Sequence, residues 1–455
     1  MKIPKDLIEL SQKAEIYVVG GYVRNFFMGA ARSTDIDLAG PLSLEELKNV
    51  ISTAAEKSQH TKKIELISVN PKLGTFLIIL PSGKYEYTPF RTESYTGGNH
   101  TPDAVTFGAG IYEDSCRRDF SANSIYYNIR KGEFVDFHSG INDIKNKILR
   151  AAPEPDTVFA ADGLRLMRLA RQAAETGFRI DDRTFAAAKS QTQLLEDISA
   201  ERIQGELIRI LTADMTYGIA DAHYRGIKIL KELCLWRYII PELQDAVGCN
   251  QNSRHHAYDV FEHTAQTVKN CPANIILRLA ALLHDIAKPY CIKNFGKMHG
   301  HAEYGAKMTR KILNRLKFSN DITDRVTRLV EHHMYDSDGK TRLNKVRLFV
   351  AENSDIIEDL VALKYADFLS KGVGGGFFED RLLDAYHKMI QEGTPMTVRE
   401  LALKGDRLAE LGVEPKDRGK VMKELLRAVI CGEVENMEEK LIQAIKKGRP
   451  PTEGN

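Results

Sequence analysis

The period of the apolar residues changes once along this chain, and that change restricts its architecture more than any other feature. Over the first 140 residues short β-rich runs alternate with turns: Ile16 to Val19, Ile64 to Val69, Thr75 to Leu80, Tyr85 to Pro89 and Ser124 to Ile129. From Asp156 the spacing is helical, with Leu164, Met167, Leu169 and Ala170 on one side and Arg165, Arg168 and Arg171 on another. Helical spacing then continues almost to the end. Strands followed by helices belong to an α+β chain, so we expect a mixed α/β N-terminal domain and then all-helical domains. With 455 residues and 43% hydrophobic content there is material for three or four cores, since one core rarely grows past about 250 to 300 residues.

Punctuation refines this division. Ser199, Ala200, Glu201 and Arg202 resemble a helix start, while Pro241, Gly248 and the run Asn250 to Ser253 mark a linker before a histidine-rich stretch. A second boundary falls at Gly372 to Gly376, and Val398 to Lys447 reads as a small helical tail broken at Gly405, Gly412 and Gly432. No internal repeat is present.

Composition excludes little beyond this. A net charge of +2 neither shows nor excludes a nucleic-acid partner, because the placement of basic residues matters more than their sum. Cys116, Cys234, Cys249, Cys271, Cys291 and Cys431 form no CxxC pair, which argues against a disulfide framework or a cysteine zinc site and for reduced thiols in a cytoplasm. Met1 to Leu10 carries charges among its apolar residues, and no later apolar run approaches the roughly 20 residues that span a bilayer. We expect a soluble, cytoplasmic protein without membrane contact.

The first chemistry-bearing run is Tyr17 to Arg24, a strand that enters a double-glycine turn and then a helix. Gly20 and Gly21 allow backbone N–H groups close to phosphate oxygens, a helix N-terminus adds positive partial charge, and Arg24 supplies a cation one turn in. Alone, such a turn is more often structural. Asp35, Ile36 and Asp37 follow, and apolar Ile36 and Leu38 suggest a strand on which Asp35 and Asp37 share a face. Two such anions repel, and hard divalent cations such as Mg²⁺ relieve the repulsion; a metal pair also activates a 3′-hydroxyl and neutralises a leaving pyrophosphate. Glu86, on the predicted strand Lys84 to Thr88, is a third carboxylate for which exposure and function weigh equally.

Gly20 to Arg24, Asp35 to Asp37, Arg117-Arg118-Asp119-Phe120 and Asp162-Gly163-Leu164-Arg165 occur in the order seen in class II tRNA nucleotidyltransferases and bacterial poly(A) polymerases. The resemblance spans roughly residues 16 to 210, with Phe90-Arg91 to Phe107 matching that family's mobile loop and Ser199 to Ile203 its later helix motif. It implies a nucleotidyltransferase head over 1–140 and a helical neck and body over 141–250 for base selection and RNA binding. It also implies metal-binding catalytic roles for Asp35 and Asp37, and nucleotide binding by Gly20, Gly21, Arg24, Arg117, Arg118, Asp162, Arg165, Arg168 and Arg171.

Asp162 and Arg165, three apart on a predicted helix, would be neighbours on one face. A carboxylate accepts from an exocyclic amino group while a guanidinium donates to ring acceptors, so the pair can imitate a complementary base. In the resembling family this pair selects CTP and ATP; the plain alternative is an ordinary ion pair of small energetic value. Arg168 and Arg171 continue the stripe, either to hold a triphosphate or as a solvated face. The chain departs from the family pattern at Asn25, where Asp is usual, at Ala161, where Glu is usual, and at Gln172, where Phe is usual. Ala161 bears on how Asp162 and Arg165 are oriented. Retention of the loop argues against an enzyme that adds only two cytidines.

Further along, His263, His284-Asp285 and Asp367 follow the H…HD…D order of the HD phosphohydrolase superfamily, with His301 and His333 as additional ligand candidates. Leu279 to His284 is an apolar helix delivering imidazole and carboxylate together at its end, a combination suited to a transition metal or Mg²⁺. His60, His100 and His138 lack such context and read as surface or core residues, while His256 and His332 fit either reading. A metal-bound water there would hydrolyse a phosphoester, unless the helices are only a retained scaffold.

The resemblance therefore implies an HD domain over 251–371 with a second divalent metal, and a tRNA-binding helical tail over 372–455. The leading expectation is a CCA-adding enzyme that extends tRNA with CMP, CMP and AMP from CTP and ATP. Its rival is a poly(A) polymerase, which shares the head chemistry; Leu401 to Leu408 with Leu411-Gly412 resembles the tail of HD-containing CCA enzymes and favours the former. An HD phosphohydrolase whose head only binds nucleotide, or a non-catalytic RNA-binding protein, would leave Asp35 and Asp37 without a purpose.

Overall fold

The structure, a computed structural model, describes residues 1–30, 35–55, 64–94, 104–251, 257–372 and 380–447. His60, His100, His256, the whole stretch between Ser94 and Ala104, and parts of both expected linkers lie outside these residues. The chain forms two compact units, Met1–Gln244 with Arg315–Lys317, and Asp245–Asn314 with Phe318–Asn455. Among the described residues no helix is long and apolar enough to cross a membrane. All six cysteines are free thiols.

The first unit begins with the expected mixed α/β head. Its strands are β1 (Tyr17–Val19), β2 (Asp37–Gly40), β3 (Glu65–Asn70), β4 (Thr75–Leu80), β5 (Gly83–Pro89), β6 (Arg91–Ser94), β7 (Ala104–Phe107), β8 (Tyr126–Asn128) and β9 (Glu133–Val135). Seven of them form one sheet in the order β3-β4-β5-β2-β1-β8-β9, with β6 and β7 paired separately at the root of the loop. Only the β2–β5 pairing in the seven-stranded sheet is parallel. Tyr17, Val19, Ala39, Phe90 and Tyr126 pack into one apolar cluster on the sheet.

Two local expectations need correction. Asp35 precedes β2 instead of lying in it, although the alternation survives: Asp35 and Asp37 are exposed while Ile36 and Leu38 are buried. Asp162 and Arg165 do not share a helix. The helix Pro155–Ala161 ends before Asp162, whose backbone is extended, and the next helix runs Arg165–Thr176. Gly163 lies in the break, and a Cβ there would lie 2.3 Å from the Leu194 carbonyl oxygen. The chain comes too close to its neighbour for any side chain at that point.

The second unit is helical throughout its described residues. Asp259, Asn274 and Ser319 cap the helices Val260–Asn270, Ile275–Leu283 and Asn320–His332 by accepting from free N–H groups of the first turn. The tail keeps the predicted breaks: the helices Arg407–Glu410, Pro415–Ile430 and Glu438–Lys446 are separated at Gly412 and Gly432, both in the left-handed region. Leu401, Leu403, Leu408, Met422, Leu425, Val429 and Leu441 form a core of their own.

Candidate active site and metal centre

A cavity of about 700 Å³ in the first unit is lined by Gly20, Gly21, Arg24, Asp35, Asp37, Arg117, Arg118, Asp162, Arg165, Arg168 and Arg171. The head and neck residues expected to bind nucleotide or metal therefore reach one space, while Glu86 and Ala161 do not line it. Gly20, at φ +78°, caps the helix Gly21–Met28, and a Cβ on it would sit 3.4 Å from Asp37 Oδ2. The turn thus brings a helix N-terminus to the carboxylates.

Asp37 is placed by two neighbours. It pairs with Val19 of β1, and the parallel register Leu38↔Tyr87 puts Glu86 beside it on β5. Asp37 keeps solvent contact, yet surrounding protein, Asp35 and then Glu86 push its carboxyl up to about 6, against the pull of Arg118. Crowded carboxylates of this kind fit a hard divalent cation.

The arginines are held rather than loose. Asp114, whose side chain is fully buried, accepts from Arg117 at 2.8 Å, Arg118 at 3.1 Å and the Tyr126 hydroxyl at 2.5 Å. Burial opposes its ionisation, but Arg118, Arg117 and Tyr126 hold the carboxyl below the usual range. Sequence reading missed Asp114, which lies on the helix Ile111–Cys116, although its i,i+3 and i,i+4 spacing to the two arginines just past that helix was a usable signal. Asp114→Ala leaves Arg118 without its carboxylate and Arg117 with only Glu93, at 3.6 Å, and is expected to destabilise the first unit by about 3 to 5 kcal/mol, read as a lower midpoint in urea unfolding. A change within the roughly 0.5 kcal/mol of ordinary surface substitutions would contradict it.

A second network joins head to neck within the unit. Arg24 donates to Asn123 Oδ1 at 2.8 Å, Gln172 Oε1 at 3.2 Å, Tyr217 Oη at 2.6 Å and Asn25 Oδ1 at 3.1 Å. Asn123 and Arg168 donate to Asp119, at 3.0 and 2.8 Å. Asn25 and Gln172, two of the departures from the family pattern, are therefore partners of Arg24.

Asp162 and Arg165 face the cavity through different anchors. Asp162 takes a bidentate contact from Arg202, at 2.7 and 3.3 Å, and caps its own turn through Leu164 N. Arg165 donates to the carbonyls of Val158 at 3.0 Å and Arg117 at 2.7 Å. Arg171 is neutralised by Glu206 at 2.6 Å and Glu175 at 3.0 Å. Arg202 and Arg209 also line the cavity, and neither was singled out as a ligand-binding residue from the sequence. Ala161 borders a separate cavity of about 280 Å³ with Glu93, Arg117 and Arg165.

In the second unit His263, His284 and Asp367 converge, and so do Asp285, His301 and His333. His263 Nε2 lies 2.8 Å from Asp367 Oδ1, and His284 Nε2 3.1 Å from Asp285 Oδ2. Burial, then His284 and His301, push the His333 imidazole down to about 3, so it is neutral and available as a ligand. The sequence did not flag Lys288, whose Nζ stands 2.6 Å from Asp285 Oδ2 and also donates to Gln251. That approach is off the direction of a hydrogen bond, and Oδ2 is buried with no hydrogen-bond partner. A buried carboxylate oxygen that lies among imidazoles without a well-directed hydrogen bond fits a divalent metal. His138 instead contacts Ser115, and His332 packs on Phe349.

Comparison with known proteins agrees with this layout. The chain matches the poly A polymerase head domain over 16–150, the probable RNA and SrmB-binding site of polymerase A over 177–247 and the HD domain over 254–372. It is 30% identical over 443 residues to the CC-adding tRNA nucleotidyltransferase of Thermus thermophilus, covering 93% of this chain and 92% of the relative. It is 31% identical to the A-adding tRNA nucleotidyltransferase of Deinococcus radiodurans, over 76% and 81% of the two chains. Its fold is similar to that of the Bacillus stearothermophilus CCA-adding enzyme in complex with CTP, with a TM-score of 0.66 and 21% identity over 98% of each chain. With head, RNA-binding and HD segments in the same order and a relative aligned nearly end to end, the chain belongs to the family of tRNA nucleotidyltransferases and bacterial poly(A) polymerases that carry an HD domain.

Proposed function

We propose that this protein is a CCA-adding enzyme, which extends the tRNA 3′ end with CMP, CMP and AMP from CTP and ATP. The observation that carries the reading is one cavity that unites the Gly20 helix N-terminus, the carboxylates of Asp35 and Asp37, and the arginines of head and neck. The relatives' names supply the tRNA substrate, and the similar structure was solved with CTP.

Gly20 and Gly21 receive the triphosphate at the helix N-terminus, and Arg24 faces it from the first turn. Asp35 and Asp37 hold Mg²⁺, which when bound supplies electrostatic relief to the attacking 3′-oxygen and the departing pyrophosphate. Two of the five N–H groups of Arg165 are anchored on carbonyls, which leaves the others for ring acceptors, while Asp162, steadied by Arg202, accepts from an exocyclic amino group. Residues 1–140 serve as catalytic head, 141–250 as neck and body, 251–371 as HD domain and 372–455 as tRNA-binding tail.

The test offers tRNA lacking its last three nucleotides with CTP and ATP, singly and together, and reads product length on a gel. Three added residues, only with both nucleotides, are expected. Extension by C residues alone would instead identify a CC-adding enzyme. A single A added only to tRNA already ending in CC would identify an A-adding one, and long tracts with ATP alone a poly(A) polymerase.

We further propose that the second unit holds a divalent metal through His263, His284, Asp285 and Asp367 and hydrolyses phosphoesters separately from nucleotide addition. The buried Asp285 carboxylate, whose Oδ2 has no well-directed hydrogen bond and lies beside His284, supports it.

A further inference from the structure

A guanidinium carries five N–H donors, and in Arg24 all five meet neutral oxygens. Nε donates to Asn25 Oδ1 at 3.3 Å, Nη1 to Asn123 Oδ1 and Gln172 Oε1 at 2.8 and 3.2 Å, and Nη2 to Asn25 Oδ1 and the Tyr217 hydroxyl at 3.1 and 2.6 Å. Among the described residues no carboxylate is in ion-pair contact with this guanidinium. Asp119 is linked to it through the amides of Asn123 and Gln172, which donate to that carboxylate at 3.0 and 3.4 Å. The side chain is 6% exposed, and its Nη2 lies 3.5 Å from the place a Cβ on Gly21 would take, so the cation sits against the phosphate turn.

Tyr217 closes this cage from the neck side. It ends the short helix Asp214–Tyr217, which is held to the neck by a core of small residues, Ala174, Ala213 and Ala222, with Ile219 packed against them. Its hydroxyl accepts from Arg24 and donates to Asn25 Oδ1 at 3.0 Å, so one group fixes two neighbours. Positions 25 and 172 are those at which the chain departs from its family's pattern of Asp and Phe. An acid at 25 would cancel the charge of Arg24, and a phenyl ring at 172 would offer it no oxygen. Asn25, Gln172 and Tyr217 together satisfy every donor and leave the charge whole. Because its N–H groups are already used, Arg24 acts on an anion at the turn through that charge.

We propose that Tyr217 is a positioning residue for nucleotide addition, which with Asn25 and Gln172 holds Arg24 as an uncancelled cation against the triphosphate. The inference rests on the reading of the cavity as the nucleotide site. Phe at 217 would keep the ring and remove both hydrogen bonds, leaving a buried Arg24 N–H unmet and the guanidinium free to turn away. Since Arg24 faces phosphates and not the base, all nucleoside triphosphates should feel the loss alike.

The experiment measures binding of CTP and of ATP, each with Mg²⁺, to full-length protein by equilibrium dialysis. Tyr217→Phe should weaken both about tenfold and in the same ratio, with an unchanged circular dichroism spectrum. In protein already carrying Arg24→Gln the same change should cost less than twofold, because a residue that acts through Arg24 then has nothing to act on. A merely structural role would weaken binding equally in both backgrounds. Asn25→Asp keeps the shape and sets an acid beside Arg24; it should raise Kd for both nucleotides at least threefold, and it decides the matter where Arg24→Gln binds too weakly to measure. Unchanged or tighter binding by Tyr217→Phe or by Asn25→Asp, a loss confined to one nucleotide, or equal losses in the two backgrounds overturns the proposal. Wild-type protein that binds neither nucleotide overturns the reading of the cavity itself.

Discussion

Asp37→Ala, and equally Asp35→Ala, is expected to lower nucleotide addition by at least ~10³-fold while the head stays folded. Metal stabilisation of the transferring phosphoryl group is worth several kcal/mol, and each 1.4 kcal/mol or so is a factor of ten in rate. Asp37 carries an independent signature. Its carboxyl titrates near 6 in the folded head against an ordinary value of 3.8, so between those values the folded state binds a proton that the unfolded state has lost. Stability of the metal-free protein therefore falls as pH rises through that window and stays lower above it. Asp37→Asn should remove this penalty, raising the melting temperature of metal-free protein at pH 7 while nucleotide addition collapses. Incorporation within tenfold of wild type in either Ala variant would refute the metal-ligand assignment. An unchanged or lower melting temperature for Asp37→Asn would show that the carboxylate is not strained by its neighbours.

His284→Ala should abolish the other site and leave the first alone. Its imidazole, 1% exposed, stands at the end of the apolar helix Ile275–Leu283, with Nδ1 tied to Ala281. Its loss removes a ligand and uncovers Asp285. Bound metal in the second unit should fall, and hydrolysis of a 2′,3′-cyclic nucleotide should drop at least ~100-fold, the upper range for losing even an outer-shell partner. Addition to trimmed tRNA should stay within about twofold, because the residues proposed to hold nucleotide and Mg²⁺ lie in the first unit. Asp367→Asn, at the more exposed edge of the cluster, repeats the test where His284→Ala unfolds. Equal metal content in variant and wild type would remove His284 from the ligand set. Loss of addition in a well-folded variant would disprove independence.

Much of this was legible along the chain because it is local. Strand alternation places Asp35 and Asp37 on one side whether or not Asp35 is hydrogen-bonded into β2, and positive φ at Gly20 is available to glycine wherever the turn occurs. The order of the histidines and aspartates likewise marked the second unit. The sequence by itself determined the class of fold, the succession of its parts and most of the residues that reach each site. Tertiary structure decided what each of them touches. Asp162 meets Arg202 forty positions on, Arg24 meets Gln172 across 148, and Arg165 is aimed by the carbonyl of Arg117 rather than by Asp162. Helical periodicity carries no trace of such partners, nor of the Leu194 backbone that passes close to Gly163 in the break between Asp162 and Arg165. In the second unit, the gathering of His263, His284 and Asp367 on one side and of Asp285, His301 and His333 on the other depends on which main-chain carbonyl each imidazole meets. Hydrogen-bond direction in a packed interior sets that, and spacing along the chain does not encode it.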